Sequence, residues 1–393
     1  MTATRSALIE APARPAPPAR RIRILGLDNE GATDFRDKDS RYYGLYHALS
    51  ERFDVVETAS PRMPRWESRL NMAVHFLPQR DLWRNRAGLN PWRFRRRSEA
   101  ARRIVAARAG DFDVILQLYL LFDAGPGHPY VQYLDSTMAI TARQMPRRAP
   151  LTHRERDAWI RLERDAYHRA DYLFPMSGLV RDSLIEDYGC DPDRIVTVGA
   201  GTNMRAESLA DARWDRRIVL FVGLDYRLKG GDSLLAAWDS VAKRVPGAEL
   251  WLAGTRRAYG RPRPDVRFFG RIPRSELRRL YEQASVFALP SRFDAFPNVL
   301  REAMGHGLPC IATTVGGIPE IVRDGETGVL VPPKDPAALS AALIDLLSDP
   351  ARAESMGRAG YTLVREQAGW EHVAERMAPY IEAAARGEPV AAG

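Results

Sequence analysis

The chain has 393 residues, of which 45% are hydrophobic and 27% are charged, and its formal net charge is +8. These values exclude extended disorder, collagen and a coiled coil as the main architecture, and the length predicts about two to three domains. The longest apolar run, Val114 to Phe122, is too short to span a bilayer. Residues 1–20 lack the apolar core of a signal peptide, and two cysteines cannot form a disulfide framework. We therefore expect a cytoplasmic protein.

The first 20 residues are rich in alanine and proline, which predicts a disordered tail. Short apolar runs then alternate with helical patterns. The predicted strands of the first half cover residues 22–27, 53–57, 113–118, 131–134, 172–174 and 195–198. Those of the second half cover residues 218–222, 249–252, 266–269, 286–289, 310–312 and 328–331. A helical segment over 366–385 follows the last strand.

Apolar strands that lack polar alternation and are separated by helices indicate parallel sheets covered on both faces. The fold class is therefore α/β, with two Rossmann-like, doubly wound domains that face a central cleft. We place the N-terminal domain at 21–205, the C-terminal domain at 206–365, and a C-terminal helix at 366–393 that could pack back onto the first domain.

The positive charge is concentrated in one segment of the first domain. Between residues 60 and 110, thirteen arginines stand against three acidic residues, and three tryptophans are interleaved with them. Such a surface suits anionic lipid headgroups, which would place residues 60–103 on the inner face of the cell membrane. A solvated helical face explains the charge equally well. A nucleic-acid partner is disfavoured, because no zinc spacing, helix-turn-helix or RNA-recognition motif accompanies the charge.

The stretch from Phe287 to Met304 carries the most informative pattern. A strand ends at Leu289, a loop carries Asp294, and Pro297 marks the start of a helix that contains Glu302. Paired carboxylates accept hydrogen bonds from the vicinal hydroxyls of a sugar or ribose. The amides of residues 296–300 lie where a helix begins, so they form an expected anion site.

A second pattern covers residues 221–232, where a strand runs into Gly223 and a short loop carries Arg227 and Lys229. Two cations beside a helix N-terminus suit a diphosphate. Lysine is rare in this chain, with four residues among the 58 basic ones, so Lys229 stands out. The loop has no Walker sequence, since Gly-x-x-x-x-Gly-Lys-Ser/Thr does not occur.

Together these stretches resemble the retaining glycosyltransferases of family 4 (glycosyl transferases group 1), which have the GT-B fold. The family's Glu-x7-Glu signature appears as Asp294-x7-Glu302, and residues 307–322 are similar to its next strand and glycine turn. The resemblance covers most of the chain after the tail and is strongest over 221–333. It implies transfer of a sugar from a nucleotide-sugar donor to a saccharide or lipid-linked acceptor, with retention of anomeric configuration.

The resemblance also implies roles for individual residues. Glu302 would bind the ribose, Asp294 the donor sugar, and Arg227 and Lys229 the diphosphate. Asp135 takes the acceptor-side position that is often a histidine in the family. The expected donor-binding set is completed by Gly31 from the first domain and by Arg271, Ile272, Phe296, Pro297, Asn298, Val299 and Leu300 from the second.

Three departures from the family pattern affect these roles. Asp294 is one methylene shorter than the usual glutamate, Leu224 stands where the family often has arginine, and the loop after the first strand lacks a second glycine beside Gly31. Arg227 is the candidate substitute for that missing arginine.

No cofactor and no metal are expected, because Asp-x-Asp occurs three times without following a strand in the required place. UDP is the expected donor nucleotide, with GDP second. His128 is a weaker candidate base than Asp135, since it lies in a loop beside prolines. One alternative is a nucleotide-sugar hydrolase or epimerase on the same fold. A dinucleotide oxidoreductase is a much weaker alternative, because the motif Gly-x-Gly-x-x-Gly is absent after the first strand of each half.

Overall fold

The computed structural model describes residues 20–29, 36, 42–210, 212, 214–255 and 263–390. Within these ranges the chain forms two parallel sheets with helices on both faces, as predicted. Gly31 and the first 19 residues of the predicted tail lie outside the described residues.

The first sheet has the order β2-β1-β3-β4-β5. Its strands are β1 (Arg23–Leu27), β2 (Asp54–Ala59), β3 (Val114–Leu118), β4 (Tyr130–Leu134) and β5 (Tyr172–Pro175). Its helices are α1 (Tyr43–Ser50), α2 (Arg65–Val74), α3 (Arg80–Gly88), α4 (Pro91–Ala106), α5 (Met138–Gln144), α6 (His153–Arg169) and α7 (Gly178–Glu186), followed by a 3-10 turn (Pro192–Arg194). All five residues of β3 and of β4 are buried, because helices cover both faces of the sheet.

The second sheet has the order β11-β10-β9-β6-β7-β8. Its strands are β6 (Ile218–Val222), β7 (Glu249–Ala253), β8 (Val266–Gly270), β9 (Val286–Leu289), β10 (Cys310–Thr313) and β11 (Gly328–Val331). Its helices are α8 (Gly231–Arg244), α9 (Arg274–Gln283), α10 (Asn298–Met304), α11 (Pro336–Ser348) and α12 (Pro350–Gln367), with a 3-10 turn (Ile318–Glu320) after β10. The last helix, α13 (Trp370–Arg386), packs on the first domain against α1 and the strands β3 to β5.

Two local predictions are wrong. Residues 195–198 are not a strand: Ile195 forms a single parallel bridge to Leu173, and the chain then turns at Gly199, whose φ is +72°. The predicted helix over 366–385 is interrupted at Gly369, which separates α12 from α13. Glycine costs about 1 kcal/mol relative to alanine inside a helix, which disfavours one continuous helix through Gly369.

The two domains share buried surface. Trp370 and Met377 of α13 belong to a core cluster with β3 and β4 of the first domain. In the opposite direction, Phe293 and Ala295, from the loop after β9, belong to the other core cluster of the first domain. The loop that carries Asp294 is therefore held against the N-terminal domain.

Candidate functional site

The predicted site loops follow the two strands at which the order of the second sheet reverses. From β6 the chain adds β7 and β8 on one side, and it then returns to place β9, β10 and β11 on the other side. Ligands of open α/β sheets bind at such a switch point, beyond the carboxyl ends of the strands. The loop with Arg227 and Lys229 follows β6 and the loop with Asp294 follows β9, so both lie at this crevice.

Lys229 and Asp294 form an ion pair in this crevice. Their side chains are 21% and 12% exposed, so the pair is partly shielded from water. Gly230 lets the two loops approach, since its φ is +75° and a Cβ atom there would lie 1.8 Å from the carbonyl oxygen of Pro290. The amide of Arg292 also donates to the carbonyl of Leu228 at 2.8 Å. The backbone thus fixes the separation of the lysine and the carboxylate.

A glycine turn after β10 supports the same loop from its other side. A Cβ atom on Gly316 would lie 1.9 Å from the carbonyl oxygen of Asp294, and one on Gly317 would lie 2.1 Å from that of Ala295. The amide of Gly317 donates to the carbonyl of Asp294 at 3.1 Å. The two glycines of the sequence motif are therefore required for close backbone contact beside the carboxylate.

Glu302 is half-buried on α10 and accepts a hydrogen bond from the Tyr281 hydroxyl at 3.1 Å. Tyr281 in turn stacks on the ring of His306, with centroids 5.1 Å apart. These contacts orient one carboxylate oxygen of Glu302 inward. The α10 helix begins at Asn298, directly after Pro297, and its first N–H groups have no acceptor within the helix.

Arg227 and Arg271 are exposed and line a cavity of about 960 Å³ between the domains. From the first domain, Arg84, Arg147 and Arg148 line the same cavity, and Arg148 lies 3.7 Å from the carboxylate of Asp225. Lys229 and Asp294 are not among its lining residues. The two predicted diphosphate cations therefore differ in their surroundings: Arg227 is exposed in this cavity, whereas Lys229, two residues later, is paired with Asp294.

The remaining predicted residues have different surroundings. Ile272 and Phe296 are half-buried, and Phe296 contacts the cores of both domains. Asp135 is half-buried and directly follows β4, at the carboxyl edge of the first sheet. His128 precedes β4 and therefore lies at the opposite edge, with its ring 5.0 Å from that of Phe112. This position removes His128 as a base for chemistry in the crevice.

Arg301 was not singled out by the sequence reasoning. It is 2% exposed, its guanidinium carbon lies 4.4 Å from the centroid of the Phe296 ring, and it donates to Asn298. Within the described residues its Nε and Nη1 atoms have no hydrogen-bond partner. Burial lowers the pKa of this guanidinium to about 10, so it remains charged at neutral pH. The sequence does give one indication of Arg301, since it is the basic residue directly before Glu302 in the motif.

A second missed residue is Glu320, which joins the domains. Its carboxylate accepts the backbone N–H groups of Gly178 at 2.8 Å and Leu179 at 3.3 Å, at the start of α7. A carboxylate is favoured at this end of a helix by the helix dipole. The exposed Glu320 thus fixes the glycine turn of the second domain to the first domain.

In the described part of the chain, no group of three or more His, Cys, Asp or Glu residues is placed to hold a metal ion. Nor does any helix described there have the length and apolar character needed to cross a bilayer.

Residues 216–349 match the family model for glycosyl transferases group 1. The chain is 31% identical over 230 residues to D-inositol 3-phosphate glycosyltransferase of Segniliparus rotundus, which covers 53% of this chain and 51% of that protein. It is 32% identical over 233 residues to glycogen synthase of Mycobacterium tuberculosis, covering 56% of each. The chain thus spans about half the length of the curated relatives that it matches.

Solved structures resemble the fold over more than nine-tenths of the chain. Sucrose-phosphate synthase from Thermosynechococcus elongatus has a TM-score of 0.66 at 21% identity, covering 91% of this chain and 98% of that one. Anabaena HepE in complex with UDP has a TM-score of 0.64 at 15% identity, covering 92% and 100%. The sequence resemblance and the predicted fold class are confirmed: this chain carries a glycosyl transferases group 1 domain within a GT-B fold.

Proposed function

We propose that the protein transfers a hexose from a nucleotide-sugar donor in the second domain to a hydroxyl of an acceptor bound by the first. The observation that carries this proposal is the Lys229–Asp294 pair, which lies at the switch point of the second sheet. Both residues fall within the part of the chain that matches the group 1 family model. A fixed lysine beside a fixed carboxylate offers complementary contacts to a diphosphate and to the hydroxyls of a sugar.

The reaction breaks the bond between the anomeric carbon and the diphosphate oxygen, and it forms a bond from that carbon to the acceptor oxygen. Negative charge grows on the leaving diphosphate while the sugar approaches an oxocarbenium ion. Lys229 and Arg227 stabilise the growing negative charge, and Asp294 holds the sugar hydroxyls. The departing phosphate oxygen accepts the proton of the acceptor hydroxyl on the same face of the sugar. This front-face route retains the anomeric configuration.

Donor preference is proposed from the relatives. Solved structures of Anabaena HepE contain UDP and UDP-glucose, and they share this fold. We infer UDP as the first choice and GDP as the second, with Glu302 holding the ribose. Asp135 is the proposed acceptor contact. We infer further that binding and transfer need neither metal nor cofactor.

Calorimetric titration of the full chain with UDP, GDP, ADP, dTDP and NAD, each with and without EDTA, tests the proposal. We expect one nucleoside diphosphate to bind equally in both conditions. Lys229→Ala and Glu302→Ala should each weaken that binding, whereas the exposed Lys243→Ala and Glu282→Ala of the same domain serve as matched controls. Binding of none of these nucleotides, or of NAD alone, would refute the transferase. Binding that EDTA abolishes would refute metal independence.

We also propose that the protein works at an anionic membrane surface on the cytoplasmic side. Trp66, Leu70 and Val74 are spaced four residues apart on α2 and are 65%, 47% and 70% exposed, and Phe76 follows at 62%. An apolar stripe on a helix flanked by arginines suits the interface of an anionic bilayer.

Flotation with phosphatidylcholine vesicles, with and without phosphatidylglycerol, tests this surface. We expect flotation with the anionic vesicles only, and its loss in Trp66→Ser with Leu70→Ser. The exposed Val56→Ser, on β2, is the control. Equal flotation with both vesicle types, or none with either, would refute an electrostatic membrane contact.

A further inference from the structure

Most of the arginines that the first domain folds inward are neutralised by carboxylates. Partners are found for Arg86 (Glu155, 3.0 Å), Arg96 (Glu67 and Glu99) and Arg108 (Glu57). Arg93 and Arg97, on the same helix α4, differ from these. In the described part of the chain, neither side chain forms a salt bridge.

Arg97 is an unusual cation because only 6% of it is exposed. Its Nε donates to the carbonyl oxygen of Pro61 at 3.0 Å, and its guanidinium carbon lies 5.0 Å from the centroid of the Phe122 ring. No described residue accepts a hydrogen bond from its two Nη groups. Burial and the neighbouring Arg93 lower the pKa of this guanidinium to about 9, against a smaller opposing effect of the Asp28 carboxylate, so it is still charged at neutral pH. Asp28, whose carboxylate is also buried, attracts Arg97 but forms no salt bridge with it. A buried charge that lacks a direct ion pair is costly, and an anionic ligand would reduce that cost.

The two arginines line a cavity of about 290 Å³ together with Arg62, Asn29 and Ser60. Its volume is near the lower limit for small-molecule sites, which suits a compact headgroup. The side-chain oxygen of Asn29 is buried there and accepts no hydrogen bond from a described residue. The cavity therefore combines three guanidinium groups with one acceptor that a ligand hydroxyl could satisfy.

The position of this cavity matches that of a ligand site. Asn29 follows β1 and Ser60 follows β2, so the cavity lies at the carboxyl edge of the first sheet. The strand order reverses between β1 and β3, and ligands bind next to such a reversal. The aromatic partner of Arg97, Phe122, comes from the segment after β3.

We propose that Arg62, Arg93 and Arg97 bind a phosphate group on the acceptor, and that Asn29 accepts a hydrogen bond from a nearby acceptor hydroxyl. This inference rests on the transfer reaction proposed above and names the chemistry of its acceptor as a phosphorylated polyol, either free or as a lipid headgroup. Guanidinium forks match phosphate oxygens in pairs, and such charge-assisted hydrogen bonds are strong in a partly buried site.

Glycerol 1-phosphate is a suitable soluble probe, followed by phosphorus NMR in the presence of saturating UDP so that the donor site is filled. We expect Arg97→Gln and Arg93→Gln to weaken binding roughly ten- to a hundredfold, as expected for the loss of a charge-assisted contact. Arg161→Gln removes an exposed arginine from α6 and should leave the affinity unchanged. Arg93 is only half-buried, so Arg93→Gln keeps the test valid if Arg97→Gln does not fold.

A second arm separates the two sources of phosphate. Vesicles of phosphatidylcholine, with and without phosphatidic acid, are added to the same variants. Arg97-dependent binding of glycerol 1-phosphate in solution indicates a soluble acceptor, and Arg97-dependent binding only of phosphatidic acid vesicles indicates a lipid headgroup. If Arg93→Gln and Arg97→Gln bind both probes as the unaltered protein does, the proposal is overturned. Failure of UDP to bind would instead refute the transferase itself.

Discussion

The two domains share one architecture, but they differ in whether the basic side chains at the switch point of the sheet are paired with carboxylates. In the second domain Lys229 is already paired with Asp294. In the first domain Arg93 and Arg97 have no carboxylate partner among the described residues, although α4 carries other arginines that do. A ligand of the second domain must replace an internal ion pair, whereas an anionic ligand of the first domain would give Arg93 and Arg97 an ion pair that they do not form with described residues.

This contrast predicts different responses to salt. The Lys229–Asp294 pair carries no net charge, so it attracts an anionic donor less strongly over long distances, and donor binding should depend less on ionic strength than phosphate binding. Filling a cationic cavity with an anion removes net charge, so phosphate binding should weaken as salt screens it. The four predictions below test the contrast between the domains, from the largest expected effect to the smallest.

Lys229→Ala should slow the release of UDP from UDP-glucose by about 10²- to 10³-fold, the usual loss when one group that stabilises transition-state charge is removed. Asp294→Ala should also release UDP more slowly than the unaltered protein does. The double variant should be little worse than Lys229→Ala alone, because the two residues act as a pair. Turnover rates of the three variants measure this, with Lys243→Ala as control. Strictly additive losses would contradict a functional pair.

The domains should respond to pH in opposite directions. Burial raises the pKa of Glu163, in the first domain, to about 7, so the folded state keeps a proton that the unfolded state loses near 4.5. The stability of that domain should fall as pH rises from about 4.5 to 7. Burial lowers the pKa of His306, in the second domain, to about 4, below its ordinary 6.5. As the pH drops, His306 is protonated in the unfolded state before it is protonated in the folded state, so the stability of the second domain falls between about pH 6.5 and 4. Each effect is about 3 kcal/mol.

One buried, free cysteine in each domain allows these pH effects to be read separately. Urea unfolding with pulses of a dipyridyl disulfide labels Cys190 when the first domain opens and Cys310 when the second opens. The comparison is made between about pH 5 and pH 8. Glu163→Gln and His306→Gln should each flatten the profile of their own domain only. Parallel profiles for both cysteines would contradict the assignment.

Gly317→Ala should destabilise the second domain by about 1–3 kcal/mol, the usual cost of overpacking. Its φ of −88° suits alanine, so the cost comes from the clash with the carbonyl of Ala295. The displaced Asp294 loop should also weaken UDP binding. Gly88→Ala is the matched control, because an added Cβ there meets no atom within 4 Å beyond its chain neighbours and its own helix backbone. Thermal unfolding and calorimetry measure the two effects, and equal behaviour of the two variants would contradict the role of Gly317.

Glu320→Gln should weaken the contact between the domains by about 0.3–1 kcal/mol, because the carboxylate charge at the start of α7 is lost. Hydrogen exchange of the Gly178 amide should become faster, while that of the β6 amides stays unchanged. An unaltered rate at Gly178 would show that Glu320 does not hold the domains together.

The sequence predicted the sheets well because their strands are short apolar runs, and such runs are buried whatever they pair with. Residues 218–222, 286–289 and 328–331 are strands with the predicted bounds. Residues 195–198 have the same β-branched composition but lack a full partner, because they lie outside β5 at the edge of the sheet. The composition of a segment indicates whether it is buried, but it does not indicate which strand the segment pairs with.

The site was predictable where a motif fixes the local backbone. The two loops around Lys229 and Asp294 were named from sequence, and the structure brings them together; their roles stay predictions. Glu320 was missed because it contacts the other domain, which no local pattern reports. Arg301 was missed although it lies inside the motif, because its burial is set by packing. His128 was a candidate until the topology placed it at the amino edge of the sheet.

The sequence by itself determined the α/β class, the two-domain plan and the group 1 motif, because local periodicity and motif spacing are properties of neighbouring residues. Only the tertiary structure decided which charges are neutralised. Thirteen arginines in one segment look alike in sequence, yet folding pairs four of them with carboxylates (Arg86, Arg96, Arg102 and Arg108). It buries Arg97 and half-buries Arg93 without a salt bridge among the described residues. The electrostatic energy of a charge depends on burial and on the distance to its counter-charge, and both are set by packing.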